Sequence, residues 1–384
     1  MGAWTNAAIA HIGAAGTLYI PDGEYRYSTT ISISQAQFKG LTIQCGSRAA
    51  KLIYMGSTNA LYVTSNINSA AQVTVENCSF YGTSAGASAN GFLLKDAWNF
   101  RALNTYIYGF RGLNVFCIGC INAVFLNDDI AAAGSWNVKL TSETSHSIAS
   151  NANQFIGGSI VYGASGNVWD AGAGDELNTF RGVTFEENVA VPQILLEGVT
   201  NDAVEDSYVE DAEPPTASTL CSIVLGNRSG SSWGSKTAYT AHFVRLSNLY
   251  MSTPGSSGHN LTAHICFMNS TYSTVEGANA YGSPEYGAYF YPTGNNVDNT
   301  IGPSSLSFRS AQYNMTPPGN LLWVPYGTYP SAGQWTYGKD GIQFGSMDAA
   351  AYGSHRTAGF SGTKTAGSCR FTITNGIITA VAGC

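Results

Sequence analysis

The chain has 384 residues, 44% of them hydrophobic and 11% charged, with a net charge of −7. That hydrophobic share, without a long polar tract, excludes a disordered chain, and the lack of a basic stripe argues against nucleic-acid binding. No apolar run reaches the roughly 18 residues a membrane span needs.

The N-terminus, MGAWTNAAIAHIG, lacks the charged leader and apolar core of a secretory signal. Export with a signal removed ahead of this start, or release within a virion, is expected, so the protein is read as extracellular or virion-associated. Residues 4–13 form a short amphipathic helix, and residues 1–16 an N-terminal helical cap. Two alternating stretches follow, GTLYIPDGEYRYSTTISI and LTIQCGSRAAKLIYMG, each broken by turns.

From about residue 73 to 300 a strand signature repeats: NCSFYG from Asn77, NTYIYG from Asn104, NDDIAA from Asn127, GGSIVY from Gly157, GVTFEE from Gly182 and DSYVED from Asp206. The fourth place is always apolar: Phe80, Ile107, Ile130, Ile160, Phe185 and Val209. Each copy carries a second strand, as in GFLLKD, GLNVFCI, WNVKL, NVWD, QILLEG, CSIVLG, HICFM and GAYFY. Short strands recurring every roughly 20–50 residues predict a solenoid. The fold class is therefore all-β, a right-handed parallel β-helix over residues 17–304, right-handed because parallel crossovers are. Residues 211–242, with Pro214 and Pro215, read as a loop inserted in one coil. Residues 305–384 lose the repeat and read as a C-terminal β-rich cap that covers the open end.

Of eight cysteines, Cys117 and Cys120 form a CxxC with no second pair and no flanking His. A buried strand carrying small apolar thiols explains FCIGCI better than a zinc site. Cys369 and Cys384 bracket a hairpin turning at Asn375-Gly376, and a disulfide closing it is expected.

The run GTLYIPDGEYRYSTTISI resembles the opening strands of pectate-lyase-like right-handed β-helices. NQFIGGSIVY followed by NTFRGVTFEEN resembles coils of phage tailspikes and β-helix glycoside hydrolases. The resemblance spans roughly residues 10–300, and the Asp-Asp pair that commonly leads this family is missing. It implies a polysaccharide substrate, acidic residues on the outer face as hydrolytic machinery, and homotrimeric assembly. No catalytic residue carries over by motif, since the superfamily includes hydrolases, lyases, epimerases and non-catalytic adhesins.

If the fourth place points inward, the fifth points outward. That column reads Tyr81, Tyr108, Ala131, Val161, Glu186 and Glu210; the sixth reads Gly82, Gly109, Ala132, Tyr162, Glu187 and Asp211. Two successive coils thus carry four carboxylates about one strand spacing (~4.8 Å) apart. Close like charges keep one carboxyl protonated beside an ionised partner, which glycoside hydrolysis needs. Glu186 and Glu210 are the expected acid and base or nucleophile, with Glu187 and Asp211 supporting them. The same acids could instead hydrogen-bond turn amides or bind Ca²⁺; no other metal or cofactor is expected. Tyr81, Tyr108, Tyr162 and Trp169 are candidates for stacking on sugars, and Asp170 and Asp175 for facing the same side, although a polar turn explains those two acids as well. Asp128 and Asp129 form a second acidic candidate, of which only one can face solvent on a strand. Glu205 and Asp206 are less well placed. His146, His242, His259 and His264 are isolated and read as solvated turn residues. Scarce basic residues favour hydrolysis of a neutral or weakly charged polysaccharide over a polyuronate lyase, with a non-catalytic glycan-binding fibre or adhesin as the alternative.

Overall fold

The structure is a computed structural model that describes residues 2–12, 15–35, 40–65, 72–145, 147–172, 174–186, 192–210, 220–227, 238–252, 261–282, 284–308, 311–314, 319–323, 335–338, 341–344, 362–366, 369–374 and 377–382. Helix Gly2–Ile12 opens the chain, with Thr5 and Ile9 buried one turn apart against strands Ala15–Ile20 and Ile31–Ser34. Gly2 permits the close approach: a β-carbon there would stand 1.9 Å from the Thr29 carbonyl oxygen.

Strands then recur in threes. The first coil holds Ala15–Ile20, Gly23–Tyr27 and Ile31–Ser34, which is the run that resembles the opening of pectate-lyase-like proteins. Each strand pairs in parallel with its equivalent one coil on, building a first sheet of 14 strands and second and third sheets of 11 each. The fold is a right-handed parallel β-helix. Among the described residues no helix is long and apolar enough to cross a membrane.

The repeated signature forms the turn into the second sheet and that sheet's strand. Its first place, at Asn77, Asn104, Asn127, Gly157, Gly182 and Asp206, has φ between 50° and 63°. Asn, Asp and Gly are the residues that visit this left-handed conformation most readily. The turn rotates the chain so that the fourth place enters the lumen. Phe80, Ile107, Ile130, Ile160, Phe185 and Val209 are register partners in that order and are fully buried. The eight second strands expected in the sequence all lie in the third sheet.

Polar residues enter the lumen as ladders, each satisfying the next coil. Asn114 Nδ2 donates to Asn137 Oδ1, Asn137 Nδ2 to Asn167 Oδ1 and Asn167 Nδ2 to Gln193 Oε1, at 2.7, 2.7 and 2.6 Å. Beside them Phe125, Phe155 and Phe180 stack with centroids 4.5 and 4.9 Å apart. Disulfides join Cys45 to Cys78 and Cys221 to Cys266. Cys117 and Cys120 are buried free thiols, and burial pushes the Cys120 thiol up.

Three expectations are revised. Parallel stacking passes residue 304: Leu321–Trp323 pairs with Thr300–Ile301 and, on its other side, with Trp335–Gly338. Leu322 is fully buried in the same core, so the solenoid carries its apolar column further than the outward signature shows. Only beyond it do antiparallel strands appear, ending in the sheet Gly362–Ala366, Cys369–Thr374 and Ile377–Ala382. His264 is not a solvated turn residue. It sits in a third-sheet strand, fully buried, and burial lowers its pKa to about 4. Within the interval read as one inserted loop, Leu220–Leu225 is a third-sheet strand with a register shift between Leu220 and Cys221; Pro214 and Pro215 lie outside the described residues, as do Cys384, His146 and His259.

Candidate active site

The outer face of the second sheet is built from the first and third residues of each three-residue strand, because side chains alternate along a strand. Thr184–Glu186 pairs with Tyr208–Glu210 through Thr184–Tyr208 and Phe185–Val209. Glu186 and Glu210 are the next residues of these two strands and share the following outward position. Both are partly buried, as edges of a surface rather than free tips. The expected pair is therefore brought together. Glu187 and Asp211, the other two acids, lie outside the described residues.

Tyrosines extend this face. Tyr208 Oη donates to Glu210 Oε2. Partial burial, this hydrogen bond and the charges of Glu210 and Glu186 all push the Tyr208 phenol up, so it remains a donor. Tyr208, Tyr250 and Tyr281 follow one another on successive strands with ring centroids 5.5 and 5.4 Å apart. On the other side the Tyr162 backbone NH donates to Glu186 O at 3.1 Å, and its half-exposed ring stands at a left-handed turn. The sequence reading missed Tyr208, Tyr250 and Tyr281. Tyr208 was readable, since the third and fifth places of DSYVED share one face.

Tyr108 and Tyr81 also face outward on this sheet, but three and four coils before Glu186, which is about 14 and 19 Å at the usual strand spacing. They pack against each other and against Tyr106, with centroids 5.5–5.9 Å apart. Burial and its tyrosine neighbours push Tyr106 up to about 12. The Asp128–Asp129 pair splits as alternation requires. Asp129 faces out and pairs with Arg48, while Asp128 is buried, accepts the Thr105 backbone NH at 2.5 Å and is raised by burial to about 8.

Asp170 and Asp175 do not face the ridge. Both are fully buried in the lumen with Asp202. Asn178 Nδ2 donates to Asp170 Oδ2 at 2.9 Å, Ser142 Oγ and Ser150 N donate to Asp175 Oδ1 at 2.7 and 2.8 Å, and Asn178 N donates to Asp202 Oδ1 at 2.9 Å. Burial raises all three, Asp202 to about 8, and the neighbouring Asp202 and Asp175 raise Asp170 further. Buried within the internal ladder, they cannot touch a substrate.

Trp169 is likewise displaced, to the outer face of the third sheet. Its Nε1 donates to Glu197 Oε2 at 2.7 Å, and Lys139 Nζ lies 3.6 Å over its ring. Burial lowers the Lys139 pKa, against the Glu197 charge. Glu205 pairs with Arg245 on the first sheet, and Asp206 serves a turn held by Arg181 and Asn248 at 3.1 Å each. His242 Nδ1 hydrogen-bonds Thr271 Oγ1 at 2.6 Å. Among the described residues no group of three or more His, Cys, Asp or Glu is placed to hold a metal ion.

No protein family profile and no curated protein sequence matches the chain. Solved structures do. DFA-IIIase from Arthrobacter chlorophenolicus A6, in complex with GF2, is 12% identical with a TM-score of 0.63, covering 84% of this chain and 90% of that one. The A-module of mannuronan C-5 epimerase from Azotobacter vinelandii is 12% identical with a TM-score of 0.48, covering 84% and 94%. Alginate lyase from Paenibacillus sp. str. FPU-7 is 14% identical with a TM-score of 0.47, covering 84% and 95%. The first of these likenesses shows the fold, a right-handed parallel β-helix, in agreement with the strand order above.

Proposed function

We propose that the chain is a polysaccharide-acting enzyme that hydrolyses glycosidic bonds on the outer face of its second sheet. One observation carries the reading: Glu186 and Glu210 occupy equivalent outward positions on adjacent strands, beside the tyrosine row Tyr208, Tyr250 and Tyr281. Glu186 protonates the leaving oxygen. Glu210, oriented by Tyr208, serves as nucleophile or base. Adjacent strands about 4.8 Å apart approach the roughly 5–5.5 Å carboxyl spacing of retaining enzymes. Glu187 and Asp211, the residues that follow the pair in sequence, support it, and Tyr162 and the tyrosine row bind the sugar rings.

Strands Thr184–Glu186, Tyr208–Glu210, Tyr250–Ser252 and Asn279–Tyr281 contain no Lys or Arg. A polyuronate would meet acids with no cation beside them on these strands, which favours a neutral or weakly charged glycan over the lyase reading. The likeness to DFA-IIIase, a carbohydrate-active β-helix enzyme, supports a saccharide substrate on this scaffold. Two disulfides support an extracellular or virion-borne setting, where such bonds persist.

The test is a polysaccharide panel assayed for reducing ends and for the ultraviolet absorbance of unsaturated uronides. Reducing ends alone are expected. Both signals would mean a lyase, and neither would leave a glycan-binding fibre or adhesin. Activity that survives chelation by EDTA is expected, and a loss restored by Ca²⁺ would move these acids to a cation site. Homotrimeric assembly belongs to the same proposal; light scattering near the 40.5 kDa monomer mass would reject it.

A further inference from the structure

At the vertex where the third sheet turns into the first, three successive coils line a cavity of about 370 Å³. Asn227, Met268, Asn269, Tyr291, Thr293 and Asn295 form most of its wall, and among the described residues none of its lining side chains is charged. The carboxamides of Asn269 and Asn295 and the hydroxyls of Tyr291 and Thr293 give paired donors and acceptors, which suits the hydroxyls of a neutral ligand. Asn227 is fixed from behind. Its Nδ2 donates at 2.8 Å to Glu197, whose carboxylate is fully buried and also holds Trp169 Nε1. Asn227 itself is fully buried and forms the rigid floor of the cavity.

An aromatic pair continues the same vertex, three residues on from Asn269. Phe243 and Tyr272 stack with centroids 5.1 Å apart and an interplanar angle of 13°, and each is about half exposed, at 51% and 50%. Both backbones are left-handed, with φ of 54° and 56°. Equivalent turns of other coils carry Asn99, Asn122, Ala152, Leu177, Asn201 and Asp298 in the same left-handed conformation. Among these described turns Phe243 and Tyr272 alone present two aromatic rings stacked on each other. Exposed ring faces beside neutral carboxamides match the two sides of a sugar, C–H face and hydroxyl edge.

We propose that this vertex is a second glycan-binding site, separate from the Glu186–Glu210 ridge, that takes a neutral oligosaccharide with one unit in the cavity and the next over Phe243 and Tyr272. It requires no chemistry at the ridge. A polymer held here and at the ridge would gain avidity from the linkage of the two sites.

The test uses the full chain and neutral hexasaccharides (malto-, cello-, xylo- and manno-series), with titration calorimetry and hydrogen exchange of the segment from Ala241 to Ser273 as readouts. The variant is Phe243→Asn with Tyr272→Asn, the residue that three other coils carry at this place as Asn99, Asn122 and Asn201, so the fold is retained; an unchanged or higher melting temperature checks this. In the wild type at least one sugar binds and slows exchange in the segment. The paired variant binds it about tenfold or more weakly and loses the protection. Glu186→Gln with Glu210→Gln keeps the protection whether or not the ridge is catalytic, which separates the two proposals. The vertex proposal is overturned if none of the four sugars binds, if the Asn variant binds as the wild type does, or if that variant changes only the oligomeric mass, which would make the pair an interface between copies.

Discussion

Glu186 lies one strand away from Glu210 on the outer face of the second sheet, in the position that follows the buried Phe185–Val209 pair. Their separation in sequence is one coil, so the solenoid converts a repeat into a carboxylate pair. On a substrate confirmed by the polysaccharide panel, Glu186→Gln and Glu210→Gln should each lower the rate about 10²–10⁴-fold, as expected for a lost acid or base. Both side chains are outward, so the melting temperature should stay within a degree or two of wild type. Near-full activity in both variants would remove the pair from the mechanism and turn attention to Asp129, another outward acid of this sheet.

Tyr250 stacks between Tyr208 and Tyr281. Tyr250→Ala should raise KM about tenfold and change kcat far less, the signature of binding shared by ground and transition states. A fall in kcat with unchanged KM would instead place Tyr250 in the chemistry.

Asp202 predicts a pH dependence of stability. Its folded pKa is raised to about 8 by burial, against about 3.9 for an unfolded Asp. Between those values the folded state binds more protons than the unfolded state, so its contribution falls as pH rises from about 4 to about 8 and is flat above. The groups facing it, Asp170 and Asp175, are raised in the same direction. Asp202→Asn supplies a neutral group of the same shape, the residue the ladder already uses at Asn153 and Asn178. Thermal melts should show little change near pH 4 and a gain of a few degrees above about pH 8. An equal offset at both pH values would show that Asp202 does not titrate with folding.

Phe155 is sandwiched between Phe125 and Phe180 in the lumen. Phe155→Ala should cost about 3–5 kcal/mol, since stacked coils cannot close the gap without breaking register. Denaturant titration checks this, and a loss below about 1 kcal/mol would show that the stack relaxes around the cavity.

The solenoid was legible because each part of the signature answers a local demand. Left-handed turns select Asn, Asp and Gly at its first place, and the lumen selects Phe, Ile and Val at its fourth. Those two demands act on single residues, so the sequence by itself determined the parallel stacking and the register of the second sheet. It did not determine which polar residues turn inward. Asp170 reads as an outward acid until Asn178 and the buried Asp202 appear beside it, and Trp169 reads as part of the ridge until the third sheet carries it to another face. Nor could it show the vertex cavity, whose walls come from three coils, or the Cys45–Cys78 bridge, whose ends meet only when neighbouring coils stack. Such features depend on where each corner of the coil falls, and corner position is set by contacts between coils rather than by any residue's own preference.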